Sequence, residues 1–209
     1  LFRASGLDFD RIEKTVISCV VPPMVTILDA FGRKYLGRAP QWIDARSYPD
    51  MPILYDNPNE VGSDRIVNAV GAFDRYKCSL IIIDFGTATT FDAISQKGEY
   101  LGGAISPGVA ISSEALFAHA SKLPRVEILK PPERVVGKDT IGSIQAGLIF
   151  GYAGLVDGIV QRMKKEMSGN PKVIATGGLA PLIHDVAHTI ESVEPDLPLQ
   201  GLRIISRRL

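Results

Sequence analysis

Leu80-Ile81-Ile82-Ile83-Asp84-Phe85-Gly86-Thr87-Ala88-Thr89-Thr90 decides how this chain is read: four large aliphatics, a carboxylate, a glycine, then three hydroxyls in four positions. A short apolar run closed by a glycine turn predicts a strand buried on both faces, with Thr89-Thr90-Phe91 as its antiparallel return. The tip of that hairpin is then polar. Gly86 lets backbone N–H groups approach an anion, Thr87, Thr89 and Thr90 offer hydroxyl donors, and Asp84 at the strand end can hold a cation beside a phosphate. The same residues also fit an ordinary tight hairpin whose threonines follow β-propensity, so other features have to decide.

One of them lies upstream. Glu60-Val61-Gly62-Ser63-Asp64-Arg65 opens an amphipathic segment in which Ile66, Val67, Val70 and Phe73 recur at helical spacing. Asp64 and Arg65 therefore occupy the first turn of a helix running toward the Asp84 strand. An acid and a base at a helix mouth suit substrate handling, although Asp64 could equally be a carboxylate favoured by the helix dipole and Arg65 a surface charge.

Working outward, helices and strands alternate as in an α/β protein. Phe9 to Glu13 is helix-like, Thr15 to Val21 a strand, and Pro22-Pro23 opens a helix through Leu36 with Val25, Ile27, Leu28, Phe31 and Tyr35 inward. Trp42-Ile43-Asp44 reads as a short strand, and Arg46 to Asn59 as a long ordered loop. After the hairpin, Gly108 to Ala120 is a helix, Val126-Glu127-Ile128 an extended piece, and Thr140 to Met167 the longest helix. Ile141, Ile144, Leu148, Leu155 and Ile159 form one stripe on that helix; Gly147, Gly151, Gly154 and Gly158 form another, fit for close approach of a second helix of the same chain or of a twofold partner. Val173-Ile174-Ala175 is a strand entering the Thr176-Gly177-Gly178 turn, Leu179 to Ile190 a helix, and Leu202 to Ile205 a terminal strand. A dinucleotide G-x-G-x-x-G and a Walker G-x-x-x-x-G-K-[ST] are both missing.

Bulk composition narrows the function classes. The 209 residues are 45% hydrophobic, enough for a substantial core in one or two domains. Equal numbers of basic and acidic residues, 23 each, give no electrostatic reason to expect nucleic acid or an anionic membrane as partner. Cys19 and Cys78 read as two buried thiols of a reducing cytosol, and His184 and His188 as surface residues without the glutamate of a zinc-protease pattern. With no apolar stretch of about eighteen residues and no signal-peptide layout, a cytoplasmic location is expected.

Gly62-Ser63-Asp64-Arg65 followed by Asp84-Phe85-Gly86-Thr87-Ala88-Thr89-Thr90 resembles the type III pantothenate kinase family. Gly102-Gly103-Ala104-Ile105-Ser106-Pro107-Gly108, Gly137-Lys138-Asp139-Thr140 and Ala175-Thr176-Gly177-Gly178 match further family segments in the same order. The resemblance implies an actin-like (ribonuclease H-like, sugar-kinase superfamily) α/β fold: duplicated mixed-sheet domains with the ligand in the cleft between them, divided here at residues 1–75 and 76–209. It implies phosphorylation of pantothenate by ATP, the first step of coenzyme A biosynthesis, by a cytoplasmic homodimer. Asp64 would take the proton of the acceptor hydroxyl; Tyr55, Gly62, Ser63, Asp64, Arg65 and Thr140 would hold pantothenate, Thr140 across a dimer interface. Gly86 and Thr87 would contact ATP phosphates, Asp84 would hold a monovalent cation, potassium (K+) or ammonium (NH4+), and magnesium (Mg2+) would arrive with the nucleotide. Taken alone, Thr140 is a helix N-cap and Tyr55 a loop tyrosine packed for area.

Two residues vary from the family pattern: Ser63 stands where alanine is frequent, and Asp139, where asparagine is common, adds a negative charge near the acceptor site. The family also opens with a strand carrying D-x-G-N-T, whereas this sequence begins at Leu1-Phe2-Arg3-Ala4-Ser5-Gly6, which reads like the end of a helix. The expectation is a chain lacking its first phosphate motif. Two other functions stay open at this point: a related small-molecule kinase of the same superfamily, and a non-enzymatic nucleotide-binding accessory protein.

Overall fold

Leu80, Ile81, Ile82 and Ile83 have no solvent exposure at all, and the alternation of strand side chains divides them between two separate apolar layers. The computed structural model describes residues 5, 6, 8, 11–128 and 130–209. In chain order these form β1 (Val16–Ile17), α1 (Pro22–Tyr35), β2 (Gln41–Trp42), α2 (Ser63–Tyr76), β3 (Leu80–Phe85), β4 (Ala88–Ile94), β5 (Tyr100–Pro107), α3 (Val109–His119), α4 (Thr140–Glu166), β6 (Lys172–Thr176), α5 (Ala180–His184), β7 (Ser192–Val193) and α6 (Leu197–Ser206).

β3, β4 and β5 make an antiparallel meander, while β6 pairs parallel to the other side of β3 and β7 parallel to β6. The sheet order is β5-β4-β3-β6-β7, so β3 is central, as a continuous apolar run predicts for a strand covered on both faces. Ile81, Ile83 and Phe85 pack against Ile144, Leu148 and Val156 of α4. Leu80 and Ile82 pack against Ile66 and Val70 of α2 and Leu197 of α6. The far end of α2 is clipped to β7: buried Glu194 takes Arg75 Nη1 at 2.7 Å and the Tyr76 hydroxyl.

Several predicted elements change. Leu202–Ile205 is not a strand but lies inside α6, because the buried set Leu197, Gly201 and Ile205 recurs every four residues and the central glycine hides the period. The predicted strands at Thr15–Val21 and Trp42–Asp44 shrink to the parallel pair Val16↔Gln41 and Ile17↔Trp42. Val126–Ile128 joins no strand. The helix expected over Leu179–Ile190 stops at His184; beyond it the backbone N–H groups of His188 and Thr189 donate to the Asp157 carboxylate at 3.0 and 2.9 Å, which holds the chain in a turn. The readings of Phe9–Glu13 and Leu1–Gly6 fall partly outside the described residues, and Ile12 and Glu13 are not helical. Cys19 and Cys78 are free thiols, half-buried rather than buried.

The two long apolar helices also depart from expectation. In α1 only Gly32 is buried, and Val25, Ile27, Phe31 and Tyr35, assigned inward, are exposed. α4 has an 18-residue window of mean hydropathy 1.4, long and apolar enough by composition to cross a membrane, contrary to the sequence reading; its buried Ile144, Leu148, Val156 and Val160 belong to the core. Its glycine stripe has no intramolecular partner among the described residues: a β-carbon added at Gly147, Gly151 or Gly154 would meet nothing within 4 Å. The close helix–helix approach occurs instead where Gly71 of α2 crosses Gly201 of α6.

Candidate active site

Gly62 occupies the N-cap of α2, which puts Asp64 in the first helical turn, where Asp64 Oδ1 accepts the backbone N–H of Arg65 at 2.8 Å. One turn on, Asn68 Nδ2 donates to Asp84 Oδ2 at 2.8 Å. Positions i and i+4 share a helix face, so the side of α2 that carries Asp64 is turned to the end of β3. Burial raises the pKa of Asp84 above the usual carboxylate value; the Asn68 hydrogen bond opposes this, and the nearby charge of Asp64 adds to it. Ser63 is buried, and its hydroxyl pairs with Ser18 Oγ at 2.9 Å, giving this variant position a partner of its own.

Asp84 also stands beside the late glycine turn. It is the register partner of Thr176, whose hydroxyl donates to the Glu194 carbonyl at 2.8 Å. Gly177 follows at φ 93°, and a β-carbon there would lie 2.7 Å from Asp84 Oδ1 and 2.6 Å from the Phe85 carbonyl, so glycine alone permits the approach. The Gly86 N–H donates to the Ala88 carbonyl at 3.0 Å and the Gly108 N–H to the Thr87 carbonyl at 3.1 Å. The hairpin tip, the β5 exit and the β6 turn thus converge. Of the three hydroxyls, only that of Thr87 is on an exposed residue. Thr89 is buried with its Oγ1 unpartnered among the described residues, and Thr90 donates to Asp92 Oδ2 at 3.4 Å.

Cation chemistry fits this corner. Asp84 supplies an oxygen, and Asn68 Oδ1, on a side chain 1% exposed, is unpartnered among the described residues. Oxygen is the ligand type a hard cation takes, and these two would be part of a larger set completed by other donors.

Arg65 is not a surface charge. Its side chain is 8% exposed; Nε donates to Asp92 Oδ1 at 2.7 Å and Nη2 to the Phe91 carbonyl at 3.4 Å. The Tyr100 hydroxyl donates to the same Asp92 oxygen at 2.6 Å, and the guanidinium lies 5.8 Å from the Tyr100 ring centre. Burial disfavours the Arg65 charge, but Asp92 together with Tyr100 and Tyr55 outweighs it and the net pKa is raised. Asp92 itself is pushed up to about 6 by burial, against the pull of Arg65 and the Tyr100 hydrogen bond.

Tyr55 is delivered by the proline-rich loop, which is pinned along the edge strand β5: the Leu54 N–H donates to the Tyr100 carbonyl at 2.8 Å, and the Tyr100 N–H to the Pro52 carbonyl at 2.9 Å. Its ring meets Tyr100 edge-on at 6.4 Å. Gly62, Ser63, Asp64, Asp84, Gly86 and Thr87 therefore gather at the Asp84 end of the sheet, whereas Arg65 reaches Asp92 in β4 and Tyr55, against Tyr100 and Gly102, lies further along β4 and β5, where Tyr100 pairs with Ile94. Thr140 does not join them. It opens α4 beside a separate groove of about 750 Å³ lined by Leu116, Lys138, Thr140 and Ser143. Nor is it the N-cap: Asp139 takes that position, accepting the Gly142 N–H at 2.7 Å, because a carboxylate one residue earlier reaches the third amide. The added charge of Asp139 is thereby turned to its own helix.

Sequence reasoning missed Asn68, Asp92 and Tyr100. Asn68 carries a legible signal, one helical turn after Asp64. Asp92 carries another, a carboxylate inside Phe91-Asp92-Ala93-Ile94, where burial demands a cationic or hydroxyl partner.

Residues 1–162 match the family model described as Type III pantothenate kinase. A Desulfatibacillum aliphaticivorans protein named Type III pantothenate kinase is 64% identical over 209 residues, covering 100% of this chain and 81% of the relative. One of the same name from Syntrophotalea carbinolica is 59% identical over 208 residues, covering 100% and 81%. Among solved structures, a Campylobacter jejuni protein described as a Baf family transcriptional activator superposes at TM-score 0.61 and 16% identity over 96% of this chain and 85% of that one. The activator of the 2-hydroxyisocaproyl-CoA dehydratase from Clostridium difficile, with bound ADPNP, superposes at 0.53 and 16% over 99% and 78%. The fold is that of the actin-like kinases, as the sequence predicts.

Proposed function

Because this chain belongs to the type III pantothenate kinase family, we propose that pantothenate meets ATP where the first turn of α2 faces the tip of the β3–β4 hairpin. The reaction is phosphorylation of pantothenate by ATP to 4'-phosphopantothenate, the first step of coenzyme A biosynthesis. The observation that carries the placement is the 2.8 Å bond from Asn68 to Asp84, which ties the Asp64 face of α2 to the phosphate-side strand.

Phosphoryl transfer through a loose transition state depends mainly on aligning acceptor and donor and on neutralising phosphate oxygens, with a base needed for the acceptor proton. Asp64 accepts the proton of the primary hydroxyl. Arg65 presents what remains of its fork to the acceptor or to the transferring group, with Tyr55, Gly62 and Ser63 shaping the acceptor side. The exposed Gly86 and Thr87 meet the ATP phosphates. Asp84, with Asn68 beside it, holds a monovalent cation, K+ or NH4+, whose charge offsets phosphate charge when bound; Mg2+ is carried by the nucleotide.

The same reading divides the chain into subdomains at 1–75 and 76–209, with α2 at the seam, and places the enzyme in the cytoplasm as a homodimer that uses Thr140 across its interface. The open glycine stripe of α4 supports the dimer, since only backbone faces a partner there. Gly151→Arg is expected to convert the dimer to monomer by light scattering without loss of secondary structure. An unchanged dimer would put the interface elsewhere.

The reading is tested by coupled ADP release with pantothenate, glucose and acetate as acceptors, in potassium and in sodium buffers. Turnover with pantothenate alone is expected, and phosphorylation of glucose or acetate in its place would overturn the assignment. Asp84→Asn should remove the difference between the two buffers, because a neutral amide forfeits the charge that holds the cation. A potassium response that survives in that variant would take the cation away from Asp84.

A further inference from the structure

The Arg65–Asp92 pair is more deeply buried than substrate binding alone requires. Asp92 has no solvent exposure, sits in the middle of β4, and receives Arg65 Nε at 2.7 Å and the Tyr100 hydroxyl at 2.6 Å on one oxygen. A guanidinium has five N–H donors in one plane. The bond to Asp92 and the 3.4 Å bond to the Phe91 carbonyl use two of them on one side of the fork. The donors of Nη1 have no partner among the described residues, and Nη1 is not among the buried unpartnered atoms. They are therefore free for an oxygen-rich ligand.

Gly103 is the register partner of Asp92, and a β-carbon there would come within 3.0 Å of Arg65 Nη2. The strand opposite is thus cut back at the point where the fork lies. Tyr100 also contacts Tyr55, so one carboxylate touches, directly or through a single ring, both side chains that flank the acceptor.

We propose that Asp92 is a positioning residue of the phosphotransfer site, holding the Arg65 guanidinium in one orientation and keeping its free edge toward the acceptor or the transferring phosphoryl group. Stability alone does not explain such a pair, because a buried ion pair is often replaceable by apolar residues of equal volume without loss. A fork fixed by a carboxylate on one edge offers its other edge without first having to be ordered. The proposal rests on the reading that Arg65 contacts substrate, and its test separates the two.

Arg65→Lys keeps the charge and removes the fork; Asp92→Asn keeps the shape and removes the charge. Steady-state kinetics with pantothenate and with ATP are measured for each and for the double variant, beside thermal unfolding. Asp92→Asn is expected to shift the same parameter as Arg65→Lys, whether KM for pantothenate or kcat, by about tenfold, the worth of one charge-assisted hydrogen bond out of line. KM for ATP stays within about twofold, and the double variant is no worse than Arg65→Lys alone, because the two residues act as one unit. If Arg65→Lys leaves turnover and both KM values unchanged, the substrate role of Arg65 fails. If Arg65→Lys is impaired while folded Asp92→Asn behaves as the parent, shifts a different parameter or adds independently, the positioning role is overturned. Should Asp92→Asn not fold, Tyr100→Phe decides. It leaves the ion pair and removes only the hydroxyl that steadies Asp92, and it is expected to move the Arg65-type parameter about threefold; no movement in that variant overturns the proposal.

Discussion

Asp64→Asn is expected to lower kcat for pantothenate phosphorylation by roughly 10²–10⁴-fold, the range a positioned general base supplies, with KM for ATP little changed. The substitution is nearly isosteric, and an asparagine Oδ1 can still accept the Arg65 backbone N–H that Asp64 takes at 2.8 Å, so the first turn of α2 keeps that bond. What is lost is proton affinity on the face that Asn68 ties to Asp84. Burial is the main cause of the raised Asp84 pKa and the Asp64 charge only adds to it; removing that charge takes one negative group away from the side where the ATP phosphates are proposed to lie, so the variant should bind ATP at least as well as the parent. This sign separates a lost base from a damaged site, since general damage weakens nucleotide binding and turnover together. Rapid-quench measurement of the chemical step checks it. Turnover within tenfold of the parent would remove Asp64 as the base and leave alignment as the whole of catalysis at this position.

The parts of this site that were legible in the sequence are those in which one residue's chemistry and its local pattern agree. β3 is legible because four consecutive aliphatics admit little except a strand covered on both faces, and the Asp84 end follows from the glycine after it. The Asp64 turn is legible from the helical spacing of Ile66, Val67 and Val70. Partnerships across the fold were not legible. Arg65 is drawn inward by Asp92, 27 residues away on another strand, and no local pattern encodes that pairing. Thr89 follows the alternation of β4 to the inside, so a motif rich in hydroxyls lends fewer of them to the surface than its composition suggests. Glycine was the hardest residue to read. The four glycines of α4 promised tight packing and, among the described residues, meet no helix, whereas single glycines in α2 and α6 make the closest contact between those elements. Only the position of the opposing backbone separates the two cases, and a stripe of missing side chains carries no record of what approaches it.

That contact gives the largest stability effect expected. A β-carbon on Gly201 would lie 2.0 Å from the Val67 carbonyl oxygen, and one on Gly71 would lie 2.9 Å from the Leu197 carbonyl and 3.1 Å from the Gly201 nitrogen. In each case the obstacle is backbone, which cannot rotate away as a side chain can. Gly201→Ala gains about 1 kcal/mol in helix propensity, yet it must push α6 off α2, and overpacking of this kind costs about 1–3 kcal/mol or more. With a contact this short the upper end should prevail, for a net loss of about 2 kcal/mol and a fall in Tm of roughly 4–8 °C. Gly71→Ala, with nearly an ångström more room, should cost less, and calorimetry of the two variants should return that order. On the proposed placement of the site the displacement also bears on catalysis, because the carbonyl struck by Gly201→Ala belongs to Val67, the neighbour of Asn68, whose 2.8 Å bond to Asp84 ties α2 to β3. Gly201→Ala should therefore lose turnover at temperatures where it is still fully folded. A variant with lowered Tm but parental kcat would mean that α2 carries Asp64 to its place independently of α6.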